Sequence, residues 1–346
     1  MAIRVLIVDD SALMRQLLSE ILAADPGIEV VGTAPDPHVA RERIKALSPD
    51  VLTLDIEMPV MDGLSFLEKL MALRPMPVVV VSTLTQKGAD AAVRALELGA
   101  VDSVGKPLID IRTGMAGLAS ELIAKVKTAA MSRPRVRATA QASLRPLAVD
   151  ARLSTAGRIV AIGASTGGVE ALQQVIIRLP AEAPAILITQ HMPAGFTSSF
   201  ARRLDSQSAV TVLEATDGRR VLPGHVYIAP GARHLELVRT GAHYACRLHD
   251  GAAVSGHRPS VDVLFHSVAT AAGRNAVGII LTGMGRDGAD GLLAMRKAGA
   301  RTYGQSEASC LIYGMPKVAM QTGAVEVELP LDRMAEEIVA GRRVAA

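Results

Sequence analysis

The strongest constraint on this chain is its repeated alternation of short, almost unbroken Val, Ile and Leu runs with amphipathic stretches of helical spacing. Over residues 3–125 the runs "IRVLIVDD", "IEVVGTA", "DVLTLDI", "PVVVVST" and "DSVGKP" alternate with "LMRQLLSEILAA", "VARERIKAL", "LSFLEKLMAL", "DAAVRALELG" and "MAGLASELIAKV". A strand that is apolar on both faces needs cover on both faces, which the crossover helices of a parallel sheet supply. Five such units predict a doubly wound α/β domain. From about residue 157 the alternation returns with "RIVAIGA", "AILITQH" and "AVGIILTG", interrupted by shorter strand candidates, "HVYIAP", "HLELV" and "HYACRL". A second, larger and mainly parallel α/β domain with an added β-ribbon is expected there.

Between the two blocks lie Arg133, Arg135, Arg137, Arg145, Arg152 and Arg158 against a single acid, Asp150, together with Pro134 and Pro146. With no periodic apolar face, this segment reads as an exposed basic linker, giving an expected division into 1–125, 126–156 and 157–346. A length of 346 residues allows each block its own core. No apolar run approaches the roughly 20 residues of a membrane span, and "MAIRVLIVDD" meets acid at Asp9 before a signal-peptide core could form. A cytoplasmic protein is expected. The two cysteines, Cys246 and Cys310, have neither disulfide-framework nor metal-ligand spacing. A net charge of only +3 and 2% aromatic residues, with no Trp, offer no stacking platform for nucleic acid.

In an open parallel sheet the groups just beyond the carboxyl ends of the strands converge on one crevice. In the first block these are Asp9 and Asp10, Asp55, Ser82 with Thr83, and Lys106. Three converging carboxylates repel one another unless a hard divalent cation such as Mg²⁺ joins them, and that cation would suit phosphoryl transfer to an Asp. Helix capping alone would use one Asp and leaves the others unexplained.

In the second block the turn "GASTGG" lacks the Lys-Ser or Lys-Thr of a Walker loop and the glycine spacing of a dinucleotide fold. Read as Gly163-x-Ser165-x-Gly167 it fits a nucleophile turn between strand and helix. An α/β-hydrolase histidine would come late, yet the last of the eight histidines is His266. His191, ending the next strand candidate, is the better base for Ser165. An orienting acid is then supplied by Asp287 or Asp290 beyond "AVGIILTG", with Asp287 closer to the strand end. A helix N-cap is the plainer role for Asp287.

Over the first block, "VLIVDDS", "DVLTLDIEMPVMDGLSFL", "VVVVST" and "GAVDSVGKP" resemble the response-regulator receiver domain. In the second, "IGASTGG", "ITQHMPAGFTSSFARRL", "LPGHVYIAPG", "HRPSVDVLFHSVA", "LTGMGRDGADGL" and "EASCLIYGMPKVAM" closely resemble the catalytic domain of the CheB family of chemotaxis protein-glutamate methylesterases. Together the likeness spans essentially the whole chain. It implies a flavodoxin-like five-stranded receiver in which Asp55 accepts phosphoryl, Asp9, Asp10 and Asp55 hold Mg²⁺, and Ser82 and Lys106 form the switch. Ser103 stands where many receivers carry an aromatic residue. In the second domain the resemblance implies Ser165 as nucleophile, His191 as general base, Asp287 as orienting acid, the Met284 backbone N–H in the oxyanion hole, and Thr166 lining the site.

The implied activity is phosphorylation-activated hydrolysis of glutamate methyl esters on chemoreceptors, releasing methanol through an acyl-enzyme, with deamidation of receptor glutamines. The esterase step would need no metal. The implied partners are methyl-accepting chemoreceptors and a chemotaxis histidine kinase, with membrane association only through the receptors. Two other outputs compete: a phosphorylation-dependent transcription factor, disfavoured because no helix-turn-helix output follows, and a noncatalytic phosphate or nucleotide sensor built on "GASTGG".

Overall fold

The computed structural model describes residues 2–58, 63–83, 85–106, 111–132 and 157–340, the side chains of 111–117 excepted. The chain divides into two compact units, Met1–Ala140 and Gln141–Ala346. Most of the segment expected to be a linker, 133–156, lies outside the described residues.

In the first unit the strands are β1 (Ile3–Val8), β2 (Ile28–Ala34), β3 (Val51–Asp55), β4 (Val78–Thr83) and β5 (Asp102–Lys106). They alternate with α1 (Ala12–Ala23), α2 (Pro37–Leu47), α3 (Gly63–Leu73), α4 (Gln86–Glu97) and α5 (Ile111–Met131). The sheet order is β2-β1-β3-β4-β5, every pair parallel. Strands β3 and β4 are buried along nearly their whole length, as their unbroken apolar composition requires. Helix α5 runs to Met131, six residues past the expected domain edge at 125, because Val126 and Ala129 are fully buried and extend its apolar face.

The second unit begins with β6 (Ile159–Ala164), α6 (Gly168–Ile176), β7 (Ala185–Gln190), α7 (Phe196–Asp205), β8 (Thr211–Glu214) and β9 (His225–Ile228). A ribbon follows, β10 (His234–Thr240) and β11 (His243–His249), then α8 (Val261–Ala271), β12 (Ala276–Ile280), α9 (Ala289–Lys297), β13 (Arg301–Gln305), α10 (Met315–Gln321), β14 (Val327–Leu329) and α11 (Leu331–Val339). Seven of these strands form one parallel sheet in the order β14-β13-β12-β6-β7-β9-β8. The ribbon "HLELV" and "HYACRL" is antiparallel, whereas "HVYI" joins the main sheet in parallel beside β7.

From β6 the chain lays β7 to one side, then the edge strand β8, and returns to place β9 between those two, before building β12, β13 and β14 outward on the other side. The order therefore reverses at the boundary between β12 and β6, and doubly wound sheets open a crevice beyond the strand ends at such a point. Among the described residues no helix is long and apolar enough to cross a membrane. Both cysteines are buried thiols outside any disulfide, and burial pushes the Cys246 thiol up to about 12.

Candidate active site

Three neighbouring strands of the larger sheet, β12, β6 and β7, deliver Asp287, Ser165 and His191 beyond their carboxyl ends. Ser165 occupies the turn between β6 and α6, and its backbone N–H donates to Thr282 O at 3.0 Å. The turn closes through the Gly168 N–H to Ser165 O contact of 2.7 Å, with Gly167 at φ +77°. That left-handed value explains a glycine at 167. On its other side the turn meets Gly283, where an added Cβ would lie 2.7 Å from Ser165 Cβ and 2.4 Å from Met315 Sδ. This close approach sets Gly283, the residue before Met284, directly beside the nucleophile. The Met284 side chain is exposed, while Thr166 is buried and its carbonyl accepts from Thr282 Oγ1 at 3.1 Å.

The His191 imidazole bridges the other two groups. Nδ1 lies 3.1 Å from Ser165 Oγ and Nε2 lies 2.7 Å from Asp287 Oδ2. With Asp287 ionised, the ring proton sits on Nε2 toward the carboxylate, which leaves Nδ1 as the acceptor of the serine hydroxyl. Gln190, buried behind them, donates from Nε2 to both Ser165 O at 2.9 Å and His191 O at 3.1 Å, holding the two loops at one spacing.

Asp287 is 1% exposed. Burial opposes its ionisation, yet the His191 contact and the backbone N–H groups of Val261 and Asp262 outweigh burial and hold its carboxyl down at about 2. Those two amides, at 2.8 and 3.1 Å, belong to the first turn of α8. Asp287 does bind a helix N-terminus, then, but a helix 26 residues earlier in the chain and not the following α9, whose N-cap is Gly288. The positive end of α8 favours a carboxylate at this position. Asp290, the other acid in the motif, is exposed and paired with Arg286 at 3.0 Å.

Two neighbours of the triad were not legible in the sequence. The His257 ring stacks on His191 with centroids 3.7 Å apart and planes 8° from parallel. The Ser260 hydroxyl donates to Asp287 Oδ1 at 2.8 Å. Both lie in "HRPS", which reads locally as a helix entry, and only tertiary closure gives it a second use. Arg258 from the same stretch is tied to the loop before it, donating to Asp250 O and Gly251 O at 3.1 Å each.

At the strand ends of the first unit, Asp9, Asp10 and Asp55 each offer a carboxylate oxygen within 4.8 Å of the others. Lys106 Nζ approaches Asp9 Oδ2 at 2.9 Å and Asp55 Oδ2 at 2.7 Å. Burial, aided by the nearby Asp55 charge, raises the Asp9 carboxyl despite Lys106. Burial works against the charge on Lys106, but its two carboxylate partners raise the ammonium above its ordinary value. A compact set of hard oxygen donors with residual repulsion fits a divalent cation. Ser11, not Asp9 or Asp10, caps α1 through its hydroxyl, leaving the acids for other work. The buried Ser82 hydroxyl, one strand over, donates to Gly88 O at 3.0 Å in α4.

Known proteins resemble this chain over nearly its whole length. The sequence profile of the response regulator receiver domain matches residues 5–116, and that of the CheB methylesterase matches 160–338. A Bordetella avium protein named protein-glutamate methylesterase/protein-glutamine glutaminase 2 is 59% identical over 97% of this chain and 96% of its own length. A protein of Escherichia coli O6:K15:H31, named protein-glutamate methylesterase/protein-glutamine glutaminase, is 57% identical over 98% of this chain and 96% of its own length. The crystal structure of the Thermotoga maritima CheB methylesterase catalytic domain superposes with a TM-score of 0.52 at 38% identity, over 53% of this chain and 97% of that one. With a receiver domain ahead of a hydrolase domain of this kind, the chain belongs to the CheB methylesterase family.

Proposed function

We propose that this chain is a phosphorylation-activated protein-glutamate methylesterase that also deamidates glutamines, acting on the cytoplasmic helices of methyl-accepting chemoreceptors. The observation that carries the reading is the unbroken Ser165–His191–Asp287 contact at the ends of three adjacent strands, in a chain of this family. His191 Nδ1 takes the hydroxyl proton as Ser165 Oγ attacks the γ-carbonyl, and the Asp287 charge stabilises the resulting imidazolium. The Met284 backbone N–H faces the developing oxyanion, and Thr166 lines the pocket beside the nucleophile. The imidazolium then protonates the departing methanol, or ammonia when the substrate is a glutamine. Water, deprotonated by the same imidazole, hydrolyses the acyl-enzyme to glutamate.

The first unit supplies control. Asp55 is the phosphoryl acceptor, and Asp9 and Asp10 complete with it the set that would hold Mg²⁺. When bound, that ion neutralises phosphoryl charge. Lys106 pairs with Asp55 and remains beside the incoming anion, and Ser82 supplies the switch hydroxyl from the next strand. A histidine kinase is the class of donor expected for an acceptor aspartate of this type. The domain division proposed is receiver, basic linker and esterase, in a cytoplasmic protein that meets the membrane only through its receptor substrates.

The test is methanol release from methylated receptor, with and without a small-molecule phosphodonor and Mg²⁺. Release that rises with phosphodonor and disappears in Ser165→Ala supports the reading. Release that persists in Ser165→Ala overturns it.

A further inference from the structure

We infer that Ser260 is a positioning residue of the catalytic apparatus, fixing the Asp287 carboxylate and tempering its charge through a hydrogen bond that only the folded tertiary structure creates. This rests on the triad reading above.

The Ser260 side chain is fully buried. Its hydroxyl donates to Asp287 Oδ1 at 2.8 Å, on the carboxylate oxygen that does not meet His191. Oδ1 receives the Asp262 N–H as well, while Oδ2 receives the Val261 N–H alongside the His191 ring. The carboxylate is thus held by four donors, three of them from the consecutive residues 260–262, and rotation about its terminal bond would break several contacts at once. Ser260 is itself held from behind. Its backbone N–H donates to Nδ1 of the buried His234 at 3.2 Å, and His234 Nε2 contacts Ala252 O at 3.0 Å. With Nε2 carrying its proton to that carbonyl, His234 stays neutral and Nδ1 is an acceptor, in keeping with the way burial lowers the His234 pKa.

The charged and titratable groups around Asp287 are few. His191 faces it from the end of β7. The Asp262 carboxyl accepts from the Gly291 N–H at 2.7 Å and also faces Asp287 itself, and burial together with that neighbouring carboxylate raises it. His234 lies behind Ser260, and His257 stacks on the far face of His191. Ser260 is the side-chain hydroxyl in this group that touches the carboxylate. A donor to a carboxylate lowers its proton affinity and spreads its charge. Without the hydroxyl, Asp287 becomes more basic, binds the His191 proton more tightly, and leaves less neutral base at a given pH.

Ser260 also caps α8, with its hydroxyl 3.4 Å from the Val263 N–H. A lost cap would lower stability in any reading, so stability does not discriminate. Three variants do. Ser260→Ala removes cap and donor together, and Ser260→Gly removes the donor while retaining most capping. Ser260→Thr keeps the hydroxyl.

The readout is kcat/KM for methanol release from methylated receptor across pH, as a ratio to the wild-type chain at each pH, so that the pH dependence of receiver phosphorylation cancels. Ser260→Ala and Ser260→Gly are expected to lower kcat/KM at pH 7 roughly tenfold and to move its acid limb up by about one pH unit. Ser260→Thr is expected to restore the limb. A misfolded fraction lowers amplitude without moving a limb. If the soluble Gly variant keeps the wild-type limb, or if the limb of Ser260→Thr shifts as far as that of Ser260→Gly, the proposal is overturned. Ser165→Ala runs in parallel: activity there would sink the triad reading, whereas an inactive Ser165→Ala with unmoved Ser260 limbs sinks only this inference.

Discussion

At the scale of single residues, the site depends on very close approaches. Gly283 abuts Ser165 and Met315 so tightly that Gly283→Ala must shift its own loop or displace both the nucleophile and the Met315 side chain. Since a shift of about 1 Å can cost roughly a hundredfold in rate, kcat is expected to fall by at least tenfold with KM little changed, as steady-state methanol release would show. Ser165→Ala is expected to lower turnover by about 10⁵-fold or more while leaving the far-UV circular dichroism intact. Asp287 adds an acid dependence. Its folded carboxyl, at about 2, lies below the ordinary 3.8, so its stabilising effect is complete above about pH 5 and lost as pH falls toward 2. The shift is worth about 2 kcal/mol, of which about 1 kcal/mol is gone by pH 3. Urea titrations at pH 5 and pH 3 should therefore show the wild-type chain losing about 1 kcal/mol more than Asp287→Asn. Ser165, His191 and Asp287 were legible because each follows an apolar run and the types are those of nucleophilic hydrolysis. Ser260 and His257 were not, since their catalytic neighbours come from distant strands and their local pattern already had an adequate explanation in the helix entry.

At the scale of elements, α8 does more than cover the sheet. Its first turn supplies two amides to Asp287, and its apolar face buries Leu264, Phe265 and Val268 completely. Gly291 of α9 comes close enough that an added Cβ would meet Phe265 Cβ at 2.7 Å, so the two helices are locked by a small residue opposite a large one. Phe265→Ala should cost about 3–5 kcal/mol, seen as a lowered urea midpoint for the second unit. Because the helix carries the amides that hold Asp287, the surviving folded protein should also lose kcat. The strand and helix alternation was readable because parallel strands buried on both faces leave long apolar runs. The membership of "HVYI" in the main sheet was less so, since a four-residue strand carries little period and its pairing with β7 is a tertiary matter. Likewise α5 continues to Met131, past the domain edge expected at 125, because Val126 and Ala129 find a core to enter.

At the scale of the molecule, two doubly wound units each gather polar groups at strand ends, one the Asp9, Asp10, Asp55 and Lys106 cluster proposed to accept phosphoryl and the other the Ser165–His191–Asp287 contact proposed as the hydrolytic triad. Asp55→Asn should leave the unphosphorylated esterase rate in place and abolish its rise with phosphodonor, measured as methanol release with Mg²⁺ present. Chain cut within 133–156 should yield a second unit whose rate no longer responds to phosphodonor and is no lower than that of the unphosphorylated full-length protein. The order of the catalytic groups along the chain also sets when activity first becomes possible. His191 and Asp287 are 96 residues apart. At roughly 5–20 residues per second of synthesis, a ribosome needs about 5–20 seconds to bring out the acid after the base. During that interval a nascent chain carries its serine and histidine without the α8 turn and carboxylate that align them. On the proposed triad such a chain is expected to be esterase-silent, and ester hydrolysis to begin only once the segment carrying Asp287 has emerged.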